Sequence, residues 1–216
     1  MKQYAVIGLG RFGTSLALTL QKMGQEVLGI DPKEETVNQL SGELTHIIQA
    51  DATDINVLKS LGIRNFDVVV VSMSLNLEAS LLITLQCKEL GVPMVMVKAA
   101  NDLHGRILCK AGADKVILPD KEMGVRVGRS LASNSVLEYM DLSNDYSLLE
   151  VNAIPSWRNK SIQELKIRTK YGVSIIAIKG KTGPVNVSPA ASDVIREDDV
   201  LVIIGTKDDL NKIEKL

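Results

Sequence analysis

The hexapeptide Gly8-Leu9-Gly10-Arg11-Phe12-Gly13 follows an apolar run, Tyr4–Ile7, and opens a helical pattern. That context constrains the fold more than the glycines do. A strand, a glycine loop and a helix N-terminus in direct succession make the phosphate-binding turn of a βαβ unit. The first glycine permits the tight turn, the second lets backbone amides approach a phosphate, and the third lets the helix pack close to the strand. The helix N-terminus adds unpaired N–H groups and a partial positive charge. Asp31 stands about twenty positions further on, at the end of the second apolar run, where a carboxylate accepts ribose hydroxyls and repels a ribose 2′-phosphate.

Further runs at Val27–Ile30, Thr45–Gln49, Val68–Ser72, Met94–Val97 and Val116–Leu118 alternate with helical patterns up to about Ser133. They are rich in Val and Ile and lack clean in/out alternation, as parallel strands covered on both faces do. The expected fold class is α/β, a Rossmann-type doubly wound parallel sheet. Gly24, Gly62, Gly91 and Gly112 fall where helices should end on a left-handed residue. Beyond Ser133 the pattern changes. Residues 134–145 read as a hinge and connector between a nucleotide-binding domain, 1–133, and a small α+β module, 146–216. The module reads βαβββα: a strand Ser147–Ala153, a helix Ser161–Thr169, two strands around Lys179-Gly180-Lys181-Thr182-Gly183, a strand Val200–Gly205 and a helix Asp208–Lys215. A unit that small gains stability by pairing with a second copy. No internal repeat or low-complexity tract is present.

Composition excludes several partners. With 25 basic and 26 acidic residues well mixed and a net charge of -1, the chain offers no electrostatic footprint for nucleic acid or lipid. No apolar run approaches a bilayer span, and Met1-Lys2 leads into a short strand-like run without a signal-peptide pattern, so a membrane role is expected only through a partner. Cys87 and Cys109 lie in apolar helical patterns without metal or redox spacing and read as reduced core thiols, which implies a cytoplasmic address. His46 and His104 lack a partner at metal-binding spacing and read as incidental.

The expected nucleotide set is Gly8, Gly10, Arg11, Phe12 and Gly13 with Asp31. A guanidinium at Arg11, at the start of the helix, can form bidentate bonds to a di- or triphosphate. Asp51-Ala52-Thr53 follows the third run at the ligand-binding edge of such sheets, and two readings fit: it flanks the base, or Asp51 caps the next helix. A small NAD-dependent oxidoreductase would suit the same fingerprint. Hydride transfer needs a positioned acid or base, however, and neither a Tyr-xxx-Lys nor a His/Asp pair occurs where a substrate domain could present it. A transcriptional sensor would need a basic helix-turn-helix segment, which the chain lacks.

Val6-Ile7-Gly8-Leu9-Gly10-Arg11-Phe12-Gly13, Val97-Lys98-Ala99, Gly112-Ala113-Asp114 and Pro119-Asp120-Lys121-Glu122-Met123-Gly124 together resemble the RCK (KTN) proteins that gate bacterial Ktr and Trk potassium transporters, over essentially the whole chain. The resemblance implies a cytoplasmic, non-enzymatic regulatory subunit, a homodimer assembled into an octameric ring beneath a membrane potassium transporter. In it ATP and ADP, with NAD(H) as a further ligand, favour different ring shapes. It places Arg11 on phosphate, Asp31 on ribose and Lys98 among the nucleotide contacts. Asp120 stands where the family usually has Glu, at the phosphates. A carboxylate facing a triphosphate is repelled, so the reading calls for an intervening cation, Mg²⁺ or Ca²⁺, with Asp120 as ligand. The alternative is that Asp120 caps the helix 121–133. Relatives bind cyclic di-AMP between two C-terminal modules. The matching residues are Ile162 and Ile167 beside the adenines, Arg168 at a phosphate, and Val173, Ser174 and Pro189. The competing reading is an ordinary amphipathic helix with Ile162 and Leu165 in the core.

Overall fold

A computed structural model describes residues 2–73, 76–132 and 136–214. The chain divides into two compact units, Met1–Lys121 and Glu122–Leu216. In the first, strands β1 (Gln3–Ile7), β2 (Glu26–Asp31), β3 (His46–Gln49), β4 (Val68–Val71), β5 (Met94–Lys98) and β6 (Lys115–Ile117) alternate with helices. The helices are α1 (Arg11–Lys22), α2 (Glu34–Leu40), α3 (Ile55–Ser60), α4 (Leu77–Glu89) and α5 (Asp102–Lys110), and α6 (Pro119–Ala132) leads out of the unit. All strand pairs are parallel, in the order β3-β2-β1-β4-β5-β6. The chain fills one half of the sheet outward from β1 and then returns to β4 to fill the other. The crevice for a ligand therefore lies at the C-terminal ends of β1 and β4, where that order reverses. The central strand β4 is buried at every position, and the continuous Val run records a strand covered on both faces.

The four glycines expected to end helices all have positive φ, from +64° at Gly62 to +97° at Gly112. Cys87 is fully buried, and burial pushes its thiol up to about 12, as expected of an inert core cysteine. Cys109 is exposed, which corrects the reading of it as a core thiol. The buried stripe of α5 runs through His104, Gly105 and Leu108, and Cys109 lies one step around the helix.

The second unit is an antiparallel sheet of β7 (Val136–Asp141), β8 (Tyr146–Asn152), β9 (Ser174–Lys179) and β10 (Val200–Thr206), in the order β7-β8-β10-β9. Here β8 and β10 alternate buried and open positions, the pattern of a sheet with one covered face. The cluster on that face centres on Trp157, Leu149, Leu201 and Ile203. It is closed by α7 (Ile162–Leu165), α8 (Ile167–Tyr171) and α9 (Lys207–Ile213).

Three expectations change in this unit. Strand β7 falls inside 134–145, read as connector; its Glu138, Tyr139 and Asp141 sit among polar residues that hid the alternation, and its pairing with β8 comes from the tertiary context. Second, among the described residues no strand forms between the Lys179–Gly183 turn and β10, and Asn186 there makes only an isolated bridge to Ile178. Third, the helix expected over Ser161–Thr169 is broken at Lys166, which adopts φ +48° and separates α7 from α8. Among the described residues no helix is long and apolar enough to cross a membrane.

Candidate functional site

The backbone of the glycine loop is fixed by contacts on both sides. Gly8 donates its N–H to Ile30 O (2.8 Å) and has φ +88°; a Cβ there would lie 2.8 Å from Met73 Cγ. At Gly13 a Cβ would stand 2.0 Å from the Gly8 carbonyl oxygen, so loop and helix touch through main chain alone. Gly10 differs. Its φ of −69° is open to any residue, and nothing lies within 4 Å of where its Cβ would be. It caps α1 without a side-chain hydrogen bond, and the first turn of that helix holds no acidic residue. The helix thus begins with free amides facing open space, an arrangement that suits an anion.

Asp31 is buried at the end of β2, with Oδ2 accepting the Leu9 N–H (2.7 Å) and Oδ1 the Lys33 N–H (2.9 Å). It ties the glycine loop to the next loop, and a carboxylate with one such bond on each oxygen still has lone pairs for hydroxyl donors. Arg11 is exposed and, among the described residues, makes no ion pair. From the end of β5, Lys98 reaches over the Phe12 ring (5.8 Å to its centroid) and pairs with Asp120 (3.1 Å). The Lys98 side chain is 15% exposed and that of Asp120 84%, so a largely sheltered ammonium meets an open carboxylate. Asp120 lies inside the first turn of α6, after Pro119, rather than at its cap. Phe12, Lys98 and Asp120 are thereby brought together beside the loop that carries Arg11.

Asp51 accepts the Thr53 N–H (2.9 Å) and hydroxyl (2.7 Å), and these bonds hold its carboxyl below the ordinary range. The cap of α3 is Asp54, which accepts from Asn56 N, so Asp51 is not the helix cap. Ala52 is buried beneath this turn, and Gln86 Nε2 donates to Thr53 O (3.0 Å). Gln86 was not foreseen, because a lone glutamine in a helical pattern carries no signal of the loop it supports. Among the described residues no group of three or more His, Cys, Asp or Glu could hold a metal ion.

In the second unit Ile162, Ile167, Arg168, Val173, Ser174 and Pro189 line one cavity of about 400 Å³. Arg168 Nε donates to Ser174 Oγ (3.1 Å). Gln163, Ile175 and Ala191 also line it and were not singled out in advance. The loop carrying Pro189 is fixed to α7 by Gln163 N–H on Ala191 O (2.8 Å) and Ile162 N–H on Asp193 O (3.0 Å). Ile162 is only half-buried against the core, while Leu165 and Ile167 are buried in it.

The TrkA-N domain family matches residues 4–119 and the TrkA-C domain family residues 148–216. The chain is 49% identical to Ktr system potassium uptake protein A of Bacillus subtilis, over 99% of this chain and 96% of that one. The chain belongs to the TrkA-N/TrkA-C family. It is also 45% identical to Ktr system potassium uptake protein C of Bacillus subtilis (99% and 96% covered) and 34% identical to Ktr system potassium uptake protein A of Vibrio alginolyticus (100% and 98%). These relatives are potassium uptake proteins, which does not favour the oxidoreductase alternative. The RCK domain of GsuK shares the fold, with a TM-score of 0.70 at 22% identity over 100% of this chain and 47% of that chain. The GsuK channel bound to NAD matches with the same TM-score at 21% identity, over 100% and 39%.

One buried histidine supports the turn after β5 in the TrkA-N domain. His104 Nδ1 accepts the Ala100 N–H (3.2 Å), and Nε2 meets Ser80 Oγ (2.9 Å), whose hydroxyl also donates to Leu77 O. A neutral ring with its proton on Nε2 satisfies all three bonds, and burial lowers the His104 pKa below 6.5. The unfolded chain therefore takes up a proton first as pH falls. The stabilisation is full above about pH 6.5 and is lost as pH drops through the lowered folded value. Melting curves from pH 8 to pH 5 are expected to fall more steeply for the native protein than for His104→Gln; equal slopes would rule this contribution out.

Proposed function

We propose that this protein is a cytoplasmic gating subunit that binds ATP or ADP in its TrkA-N domain and, through that binding, regulates a membrane potassium transporter. The observation that carries the reading is Gly10, a glycine required neither by its backbone angles nor by any neighbour, at the uncapped start of α1. Its lack of a side chain has a physical purpose once a phosphate sits against those amides. Arg11 is then free to grip the phosphates, and Asp31 to accept the ribose hydroxyls.

Lys98 also bears on the repulsion between Asp120 and a phosphate. Its ammonium already neutralises that carboxylate and lies within reach of Phe12 in the same loop. Mg²⁺ is commonly held by one or two carboxylates together with substrate phosphates, so Asp120 fits a metal only in company with the nucleotide and, in the reading proposed here, a second copy of the chain. That copy has a surface to meet. Met123, Val127 and Leu131 recur at four-residue spacing along α6 and are all exposed, an apolar stripe suited to a homodimer within the octameric ring. The cavity in the TrkA-C domain is the proposed cyclic di-AMP site, supported by apolar walls at Ile162 and Ile167 with Arg168 at one side.

Calorimetric titration with ATP, ADP and NADH, each with and without Mg²⁺, tests the nucleotide reading. Arg11→Glu is expected to weaken ATP and ADP by about 30-fold or more, since it removes a charge-assisted contact and adds a repulsive one. Its melting temperature should stay unchanged, because Arg11 is exposed and unpaired among the described residues. Unaltered ATP and ADP affinities in that variant would overturn the assignment. Tighter binding of NADH than of either adenine nucleotide would replace the ligand.

A further inference from the structure

A second concave region of the TrkA-C domain lies beside the proposed dinucleotide cavity and shares Lys166 and Thr169 with it. It encloses about 750 Å³ and is lined by Lys160, Lys166 and Lys170, with Tyr171 and Glu164. Three lysines and one glutamate thus border it, and that carboxylate is already engaged. Glu164 Oε2 accepts the Ser161 N–H (2.7 Å) and hydroxyl (2.8 Å), bonds that also hold its carboxyl below the ordinary range. The groove therefore keeps an unanswered positive charge.

The backbone brings these lysines in at unusual places. Lys166 (φ +48°) and Asn159 (φ +57°), which directly precedes Lys160, are the non-glycine residues with positive φ among those described. A left-handed residue is ordinarily Gly or Asn, so a lysine there holds its charge at a position the helix break itself defines. Two of the ammonium groups have neighbours in the groove wall: Lys160 Nζ donates to Ser156 O (2.9 Å), and Lys170 Nζ lies 5.1 Å from the centroid of the Tyr171 ring. The Trp157 ring packs 5.1 Å from that of Tyr171, yet its buried Nε1 has no partner at hydrogen-bonding geometry.

We propose that the Lys160–Lys166–Lys170 groove binds a small multivalent phosphate anion, at a site separate from both the glycine loop and the dinucleotide cavity. Positive charge gathered in a concave region suits a compact polyanion, and Lys166 borders both sites, so an anion in the groove acts on the same helix break that walls the cavity.

The chain has one tryptophan, and it lies against Tyr171, so Trp157 fluorescence reports on this groove. Titrating the full-length protein with inorganic tripolyphosphate is expected to give a saturable change in emission. Lys160→Gln combined with Lys170→Gln should weaken it by ~10-fold or more, since two charge-assisted contacts are lost. Arg11→Glu should leave it unaltered, as should Lys181→Gln, which removes an exposed lysine paired with Asp198 outside the groove. The absence of a saturable change up to millimolar probe would overturn the site. So would equal weakening by Lys181→Gln, loss on Arg11→Glu, or equal displacement by an acidic peptide of the same charge.

Discussion

Gly13→Ala is expected to lower the stability of the TrkA-N domain by about 3 kcal/mol or more and to abolish measurable ATP and ADP binding. The added methyl would stand 2.0 Å from the Gly8 carbonyl oxygen, and a main-chain atom cannot swing aside as a side-chain tip can. Relief requires α1 to move away from β1. Gly8 cannot follow freely, because its N–H is bound to Ile30 O and Met73 and Ser72 fill the space where a Cβ would stand. The amides at the start of α1 then lose their common aim, and the Leu9 N–H is drawn off Asp31. Gly10→Ala is the matched comparison. Its backbone angles admit alanine and its surroundings are empty, so stability should change by no more than about 0.5 kcal/mol. Binding should still fall by ~10-fold or more, because the methyl occupies the space a phosphate needs. Thermal unfolding followed by calorimetric titration separates the two variants. A Gly10→Ala protein that binds ATP normally would remove the case for a phosphate at this loop, whatever Gly13→Ala does.

That contrast also marks how far the sequence could be read. The glycine loop, Asp31 and the six parallel strands were legible because each depends on local chemistry: positive φ, close main-chain packing, and Val-rich runs buried on both faces. The residues brought to one cavity in the TrkA-C domain, Ile162, Ile167, Arg168, Val173, Ser174 and Pro189, were legible only through a family resemblance. Nothing in their periodicity sets Pro189 beside α7. Long-range pairing hid the rest. Strand β7 owes its existence to β8, and its polar residues resemble a linker until Tyr139 is seen to donate to the buried Ser147, which in turn donates to Asp141. The break at Lys166 was equally silent, since lysine is a good helix former and its left-handed backbone is imposed by the turn between α7 and α8. Lys98 and Asp120 stood in separate motifs, and only the fold makes them an ion pair.

Trp157→Ala should be the most damaging single change in the second unit. Trp157 is fully buried, the largest such side chain in the protein, and it belongs to the cluster that holds Leu149, Leu201 and Ile203 against α7, α8 and α9. Truncating a buried tryptophan costs about 3–5 kcal/mol, through lost transfer energy and the void left behind. For a unit of this size that corresponds to a fall in melting temperature of roughly 15 °C or more. The loss should reach the cavity as well, because Ile167 and Val173 belong to the same cluster and line it. Trp157→Phe separates packing from polarity. Phenylalanine leaves a smaller void and also removes an indole N–H that is buried without a hydrogen-bond partner, so its desolvation cost disappears. The expected net loss is about 1–2 kcal/mol, well under half that of the alanine variant. If the two variants were equally unstable, the aromatic volume of Trp157 would not be what holds this core together.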